Sequence, residues 1–204
     1  MFTFDDDAFL DGYRKRFGPM KSELADSIKL LLAKIEIDQR FTVNPIDRYQ
    51  LAYCLATFKW ETAHTLQPID EYGSVEYFNR RYGPDTPTGK RLGNVEPGDG
   101  AKFHGRGYVQ LTGRSNYQKT GAFFHQDLLS NPSKAKEPSL AYEIAVEGMR
   151  QGWFTGKKLS QFFKAGQPPD YEGARVIING HDKAQTIADI ARRMDELLEM
   201  SLNP

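Results

Sequence analysis

The chain has 204 residues, 39% of them hydrophobic and 26% charged, which suits a soluble globular protein built on one substantial core. Lys plus Arg and Asp plus Glu each number 27, so no net charge points to nucleic acid or to a membrane surface, and neither is an expected partner. The one cysteine, Cys54, lies in an apolar run, which excludes an intramolecular disulfide and predicts a buried thiol in a reducing compartment.

The N-terminal MFTFDDDAFLDGYRKRFG has no basic segment followed by an apolar one, and no stretch approaches the roughly 18 uninterrupted apolar residues of a membrane span. Neither a secretory leader nor membrane insertion is therefore expected. A short helix with Phe9 and Tyr13 on one face should stop near Gly18-Pro19. Leu24, Ile28, Leu31 and Ile35 then predict an amphipathic helix from Met20 to Ile37. Asn44-Pro45 is a start signal, a capping side chain followed by a proline suited to the first turn. The helix it opens, to about His64, is apolar nearly all round from Tyr49 to Trp60 and should lie inside the domain.

Beyond Thr65 helical order thins. Ser74 to Tyr82 predicts a short helix, and TPTGKRLGNVEPGDG reads as a loop of turn formers. The alternating YVQLT within Gly105 to Thr112 predicts an extended segment in one small sheet. Helices resume with Ala141, Ala145, Met149 and Trp153 on one face, then Ile187, Ile190, Met194 and Leu197 on another, the latter opened by an Asp182-x-x-Gln185 capping box. The expected fold is mainly α: two helical lobes, a loop-rich middle and a central cleft.

Glu61 projects beside the apolar stripe of the buried helix, near its C-terminal end. Desolvation and the negative end of the helix both favour a protonated acid there. Asp70 and Glu71, after the Pro68 break, fall in a polar, flexible segment where a carboxylate stays ionised. Such a contrasting pair suits glycosidic hydrolysis, one group protonating the leaving oxygen and the other activating water or attacking. A glutamate at a helix end is, however, more often solvated or salt-bridged. Glu61-Thr62-Ala63-His64 matches one half of a di-iron motif whose second copy is missing, and His64, His104, His125 and His181 are scattered, so neither metal nor other cofactor is expected. Gly105-Arg-Gly107 lacks the third glycine of a dinucleotide fingerprint.

WETAHT, FHGRGYVQLTGRSNY, DLLSNPS and VIING, in that order, resemble the motifs of glycoside hydrolase family 19, the chitinase-like branch of the lysozyme superfamily, and most of all its compact phage and prophage endolysins. The resemblance runs from about Pro45 to Leu198. It implies a single lysozyme-like catalytic domain over 1–204, with 1–40 a helical segment packed on the core and 45–198 the family-like region. It also implies inversion at the anomeric carbon, Glu61 as general acid and Glu71 as general base, with Asp70 and Glu76 as alternatives for the base. Trp60 stands where many members carry histidine. Gln110, Thr112, Asn116 and Asn179 match positions that bind sugar or hold the attacking water.

Residue chemistry adds to those assignments. Gln110 and Thr112, two apart on an extended segment, would face one side and hydrogen-bond sugar hydroxyls and N-acetyl groups. Tyr108 and Tyr117 suit either stacking on pyranose faces or packing in the core. Arg106 suits a pairing with Glu61 or Glu71, or a solvated surface position. Lys102, Arg106, Arg114 and Lys119 occur with no Asp or Glu between Gly100 and Gln126, which would favour an anionic polymer. The expected function is therefore that of a monomeric endolysin cleaving the N-acetylmuramic acid to N-acetylglucosamine bond of peptidoglycan. It would be made in the bacterial cytoplasm and released through a holin-type pore. A chitinase, or a catalytically silent glycan-binding module, is the alternative.

Overall fold

A computed structural model describes residues 1–203. The described chain is mainly helical, with one two-stranded antiparallel sheet. It divides into two compact units, one formed by Met1–Gln67 together with the chain from Ala145 onward, the other by Pro68–Ile144.

The first unit is built around α3 (Pro45–Glu61), whose Leu51–Lys59 stretch is buried without interruption. No amphipathic helix could tolerate that; this one is packed against α9 (Ala184–Met200) on one side and is enclosed by other elements elsewhere. The predicted start holds: Asn44 Oδ1 accepts from the Asp47 N–H at 3.0 Å, with Pro45 in the first turn. The helix ends at Glu61, short of His64, because Ala63, His64 and Leu66 take left-handed φ values of 51°, 69° and 53°. Left-handed non-glycine residues are uncommon, and three of them within four positions make a tightly determined turn. Thr62 secures it, its hydroxyl donating to Phe58 O at 2.7 Å and accepting from the Leu66 N–H at 3.0 Å.

Around this core lie α1 (Asp6–Phe17) and α2 (Ser22–Ile37), close to the predicted spans. Phe9 and Tyr13 of α1, and Ile28, Leu31 and Ile35 of α2, are buried as expected. Cys54 is buried too, and burial pushes its thiol up to about 12, so it behaves as an apolar core residue. On α9, Ile187, Ile190, Met194 and Leu197 point inward. The capping box predicted for that helix does not form: Lys183, at φ 60°, is the cap residue and makes no side-chain capping bond, while Gln185 reaches forward to Asp189.

The second unit centres on Phe103, Leu111, Tyr117, Leu128, Ala135 and Ile144. Its sheet pairs β1 (Ile69–Asp70) with β2 (Arg106–Gly107), Ile69 opposite Gly107 and Asp70 opposite Arg106. The residues around Asp70, expected to be flexible, are thus held in a ladder. The predicted extended run through YVQLT is instead a tight turn. Arg106 and Leu111 exchange both backbone hydrogen bonds, at 3.1 and 2.8 Å, and the chain reverses between them through left-handed Gly107 (φ 96°) and Gln110 (φ 60°).

The helix α4 (Val75–Tyr82) starts at the Ser74 cap, as the sequence predicts. The stretch read as loop contains α5 (Pro87–Arg91) and α6 (Asp99–Lys102). Its turn formers act as caps and ties: Thr86 Oγ1 accepts from the Gly89 N–H, Asn94 Nδ2 donates to Tyr82 O at 2.7 Å, and buried Asp99 accepts from the Val95 and Glu96 N–H groups and from both prongs of Arg114. Burial works against the Asp99 charge, and Arg114 with those backbone donors outweighs it, holding the carboxyl below its ordinary range. The helix α7 (Arg114–Phe124) follows, then α8 (Pro138–Gln151), which ends before Trp153. No helix among the described residues is long and apolar enough to cross a membrane.

Candidate functional site

In the second unit the site is organised by Glu71, the residue after β1. Its backbone N–H donates to Gly105 O at 2.8 Å, and its carboxylate accepts in return from the Gly105 N–H at 3.1 Å through Oε2 and from the Tyr82 hydroxyl at 2.8 Å through Oε1. Both carboxylate oxygens are held by fixed donors, so the group is set in place before any ligand arrives. Burial pushes the Tyr82 phenol up to about 12, and the Glu71 carboxylate beside it adds to the effect, so the phenol is a hydrogen-bond donor at any ordinary pH.

Gly105 is where the polar groups converge. A Cβ at that position would lie 2.6 Å from Gln110 Oε1 and 3.1 Å from both Glu71 Oε2 and Thr112 Oγ1. Three sequence-predicted residues, Glu71, Gln110 and Thr112, therefore meet over the Gly105 backbone, in space that a side chain there would enter. They meet through the turn rather than along a strand. Thr112 Oγ1 donates to Gln110 O at 2.9 Å, and Asn116 Nδ2 donates to Thr112 O at 2.7 Å, so Asn116 braces the turn from the start of α7.

The neighbouring residues have structural roles. Asp70 is a hub, accepting from Lys136, lying 3.0 Å from Arg106 Nε and 3.2 Å from His104 Nε2. Burial opposes its charge, but the Lys136 and His104 bonds with the positive charge of Lys136 and Arg106 prevail and hold its carboxyl below the ordinary range. Arg106 pairs with Asp70, not with Glu61 or Glu71, and also donates to the Tyr117 hydroxyl at 2.9 Å and to Lys102 O at 3.0 Å. Tyr117 and Tyr108 are 0% and 2% exposed, so both rings belong to the packed interior and neither can stack on a sugar. Glu76 is exposed in the first turn of α4, where the nearby backbone N–H and Ser74 lower its carboxyl pKa. Of the predicted cationic stretch, Arg106 and Arg114 are consumed by Asp70, Asp99 and Glu96, leaving Lys102 and Lys119 exposed.

In the first unit Glu61, the last residue of α3, is paired: Arg175 Nη1 donates to its Oε1 at 2.6 Å. The Glu61 side chain is 22% exposed and that of Arg175 only 2%. The carboxyl expected in an isolated apolar setting thus has a buried guanidinium as its partner, which offsets the unfavourable end of the helix. Arg175 is itself fixed by donating from Nε to Asp182 O at 3.0 Å, and its segment, a short 3-10 turn at Gly173–Ile177, is tied to α3 by the Tyr53 hydroxyl donating to Ala174 O at 2.8 Å. Asn179 is exposed nearby in sequence, its Oδ1 accepting from the Gly180 N–H. Sequence reasoning missed both Arg175 and Tyr82. A usable signal existed for Arg175, a lone charge in the apolar run ARVII; Tyr82 carried none. No cluster of metal-ligating side chains occurs among the described residues.

No family model matches the chain. A segment of 98 residues, 45% of the chain, is 32% identical to an acidic endochitinase of Petunia hybrida, of which it covers 33%. The chain thus spans a third of that curated relative's length. Among solved structures, chitinase C from Streptomyces griseus HUT6037 superposes over 100% of this chain and 79% of its own, with a TM-score of 0.64 at 16% identity. A bacterial family 19 chitinase superposes over 96% of this chain and 94% of its own, with a TM-score of 0.56 at 16% identity. Fold and local sequence likeness agree: the chain has the helical fold of these chitinase structures, and part of it is similar in sequence to a plant endochitinase.

Proposed function

We propose that the protein is a glycoside hydrolase that cleaves β-1,4 bonds in polymers containing N-acetylglucosamine, with chitin-type chains as the first substrate to test. The observation that carries this reading is the meeting of Glu71, Gln110 and Thr112 over Gly105, a carboxylate anchored by Tyr82 and a backbone N–H beside an amide and a hydroxyl. Such a group suits a general base: it takes a proton from water while its neighbours hold that water or an N-acetyl group. Glu61, whose Oε1 accepts from Arg175, is assigned the complementary role of proton donor to the leaving oxygen. In the proposed reaction the water oxygen bonds to the anomeric carbon, the carbon–oxygen bond to the leaving sugar breaks, Glu61 protonates that oxygen and Glu71 takes the proton from water. The charge left on Glu61 then lies against the Arg175 guanidinium. Each role is assigned from the geometry within its own unit.

Chitinase-like fold and sequence support chitin-type chains over peptidoglycan, and the pairing of Arg106 and Arg114 removes half of the cationic stretch that favoured an anionic polymer. Peptidoglycan is the second reading, supported by exposed Lys102 and Lys119. A reducing-end assay on N-acetylglucosamine oligomers and on purified peptidoglycan decides between them. Glu61→Gln and Glu71→Gln should each reduce turnover by about a hundredfold or more on whichever polymer is cleaved. Wild-type rates in both variants would overturn the assignment, and polymer binding without new reducing ends would mark a silent glycan-binding module. The first product should carry the inverted anomeric configuration by NMR.

A further inference from the structure

Both tyrosines that the sequence offers for sugar stacking are sealed in the interior, yet the second unit presents another aromatic ring directly after Glu71. Tyr72 is 86% exposed, more than any other large hydrophobic side chain among the described residues. Single exposed apolar side chains are common and mean little alone. What distinguishes Tyr72 is how its backbone is held.

On one side, Glu71 is fixed to Gly105 through its N–H and its carboxylate. On the other, a Cβ at Gly73 would lie 2.6 Å from Tyr77 Cδ1 and 2.8 Å from Phe78 Cε1, so the chain at Gly73 is pressed against those rings. Ser74 then caps α4, its hydroxyl accepting from the Tyr77 N–H at 3.1 Å. Tyr72 therefore projects from a fixed strand-to-helix connection. A tyrosine ring has few rotatable bonds, so holding it against a ligand costs little conformational entropy, and its face offers a flat apolar surface with a polar edge.

We propose that Tyr72 is a sugar-stacking platform that receives the pyranose ring next to the one engaged by Glu71, and so sets the preference for longer glycans. The inference rests on the glycoside hydrolase reading above and extends it to a binding position. Its ligand class is a β-1,4-linked chain of N-acetylated hexosamines, whose axial C–H faces are apolar and suited to an aromatic ring.

The test compares Michaelis parameters of wild type, Tyr72→Ala and Tyr72→Trp on a short and a long N-acetylglucosamine oligomer, with glycan strands from peptidoglycan in parallel. Loss of the ring should raise KM for the longer chain roughly five- to tenfold, by analogy with other aromatic stacking contacts. The effect should appear in KM more than in kcat, should be larger for the long chain than the short one, and should be reversed by tryptophan. An unchanged KM for long chains in Tyr72→Ala overturns the inference while leaving the hydrolase reading intact. A fall in kcat alone, or failure of tryptophan to rescue, overturns it as well. Absence of hydrolysis by wild type on every polymer overturns the underlying reading, and the inference with it.

Discussion

Lys59 offers a quantitative check on the packing of the first unit. It lies on α3, 7% exposed, with Nζ donating to the Tyr13 hydroxyl at 2.6 Å and standing 5.1 Å and 4.8 Å from the ring centroids of Tyr13 and Phe17. The Phe17 ring is shared on its other contacts with Arg193 of α9, whose guanidinium is 5.7 Å away. Burial lowers the ammonium pKa from 10.5 to about 8. The folded state therefore gives up this proton before the unfolded state does. Between those two values the unfolded chain binds more protons, so stability rises with pH. From pH 7 to pH 9.5 the gain is about 1.5 units at 1.36 kcal/mol each, or about 2 kcal/mol. Lys59→Met keeps the volume and removes the titration. It also leaves the Tyr13 hydroxyl short of a partner, so the informative quantity is the slope with pH and not stability at one pH. Urea unfolding at several pH values should show the rise in wild type and its loss in the variant. His64 gives a second readout, because burial and then the Lys59 charge lower its pKa; by NMR it should titrate higher in the variant. Parallel pH slopes in the two proteins would refute the reasoning.

Two further substitutions separate folding from site geometry. Gly105→Ala should leave thermal stability within about 1 kcal/mol, since alanine restricts the unfolded chain. It should nonetheless lower activity about tenfold to a hundredfold, because its methyl enters the space held by Gln110, Glu71 and Thr112; undiminished turnover would show that this convergence is not used. Arg175→Ala leaves the Glu61 carboxylate without its guanidinium and Asp182 O without a donor. Breaking a buried pair costs about 3–5 kcal/mol, and the partial exposure of Glu61 puts the expected loss in denaturant melts near the lower end. A melt indistinguishable from wild type would refute the pairing.

The helices of the first unit were legible because their burial is periodic or continuous. Leu51 to Lys59 is apolar on every face apart from Thr57 and the lysine at its end, and only an interior helix accommodates that. The polar middle was less legible for a specific reason. Thr86, Asn94 and Asp99 resemble turn formers in sequence, yet their side chains cap short helices and bind buried backbone groups. Whether such a residue meets solvent or a neighbouring N–H depends on tertiary contacts. The same ambiguity misplaced Gln110 and Thr112 on a strand: period-two alternation is also compatible with a turn when a glycine and a left-handed glutamine reverse the chain.

For the candidate site, residue types were readable and pairings were not. Glu71, Gln110 and Thr112 came from the motif resemblance and do meet, but the groups that hold Glu71 are a tyrosine on α4 and the backbone of a glycine 34 residues further on. Arg106 shows the reverse error. The readings open for it were a pairing with Glu61 or Glu71 or a solvated position, and it instead pairs with Asp70, because β1 and β2 set those two residues opposite each other. That register also separates the surroundings of the two neighbouring carboxylates. The ladder holds Asp70 beside Arg106, with His104 and Lys136 as its other partners, while Glu71, one residue past β1, is held by Gly105 and Tyr82. Asp70 is committed to holding the sheet together, whereas Glu71, anchored beside an amide and a hydroxyl, is the carboxylate to which the proposed reaction assigns the role of base.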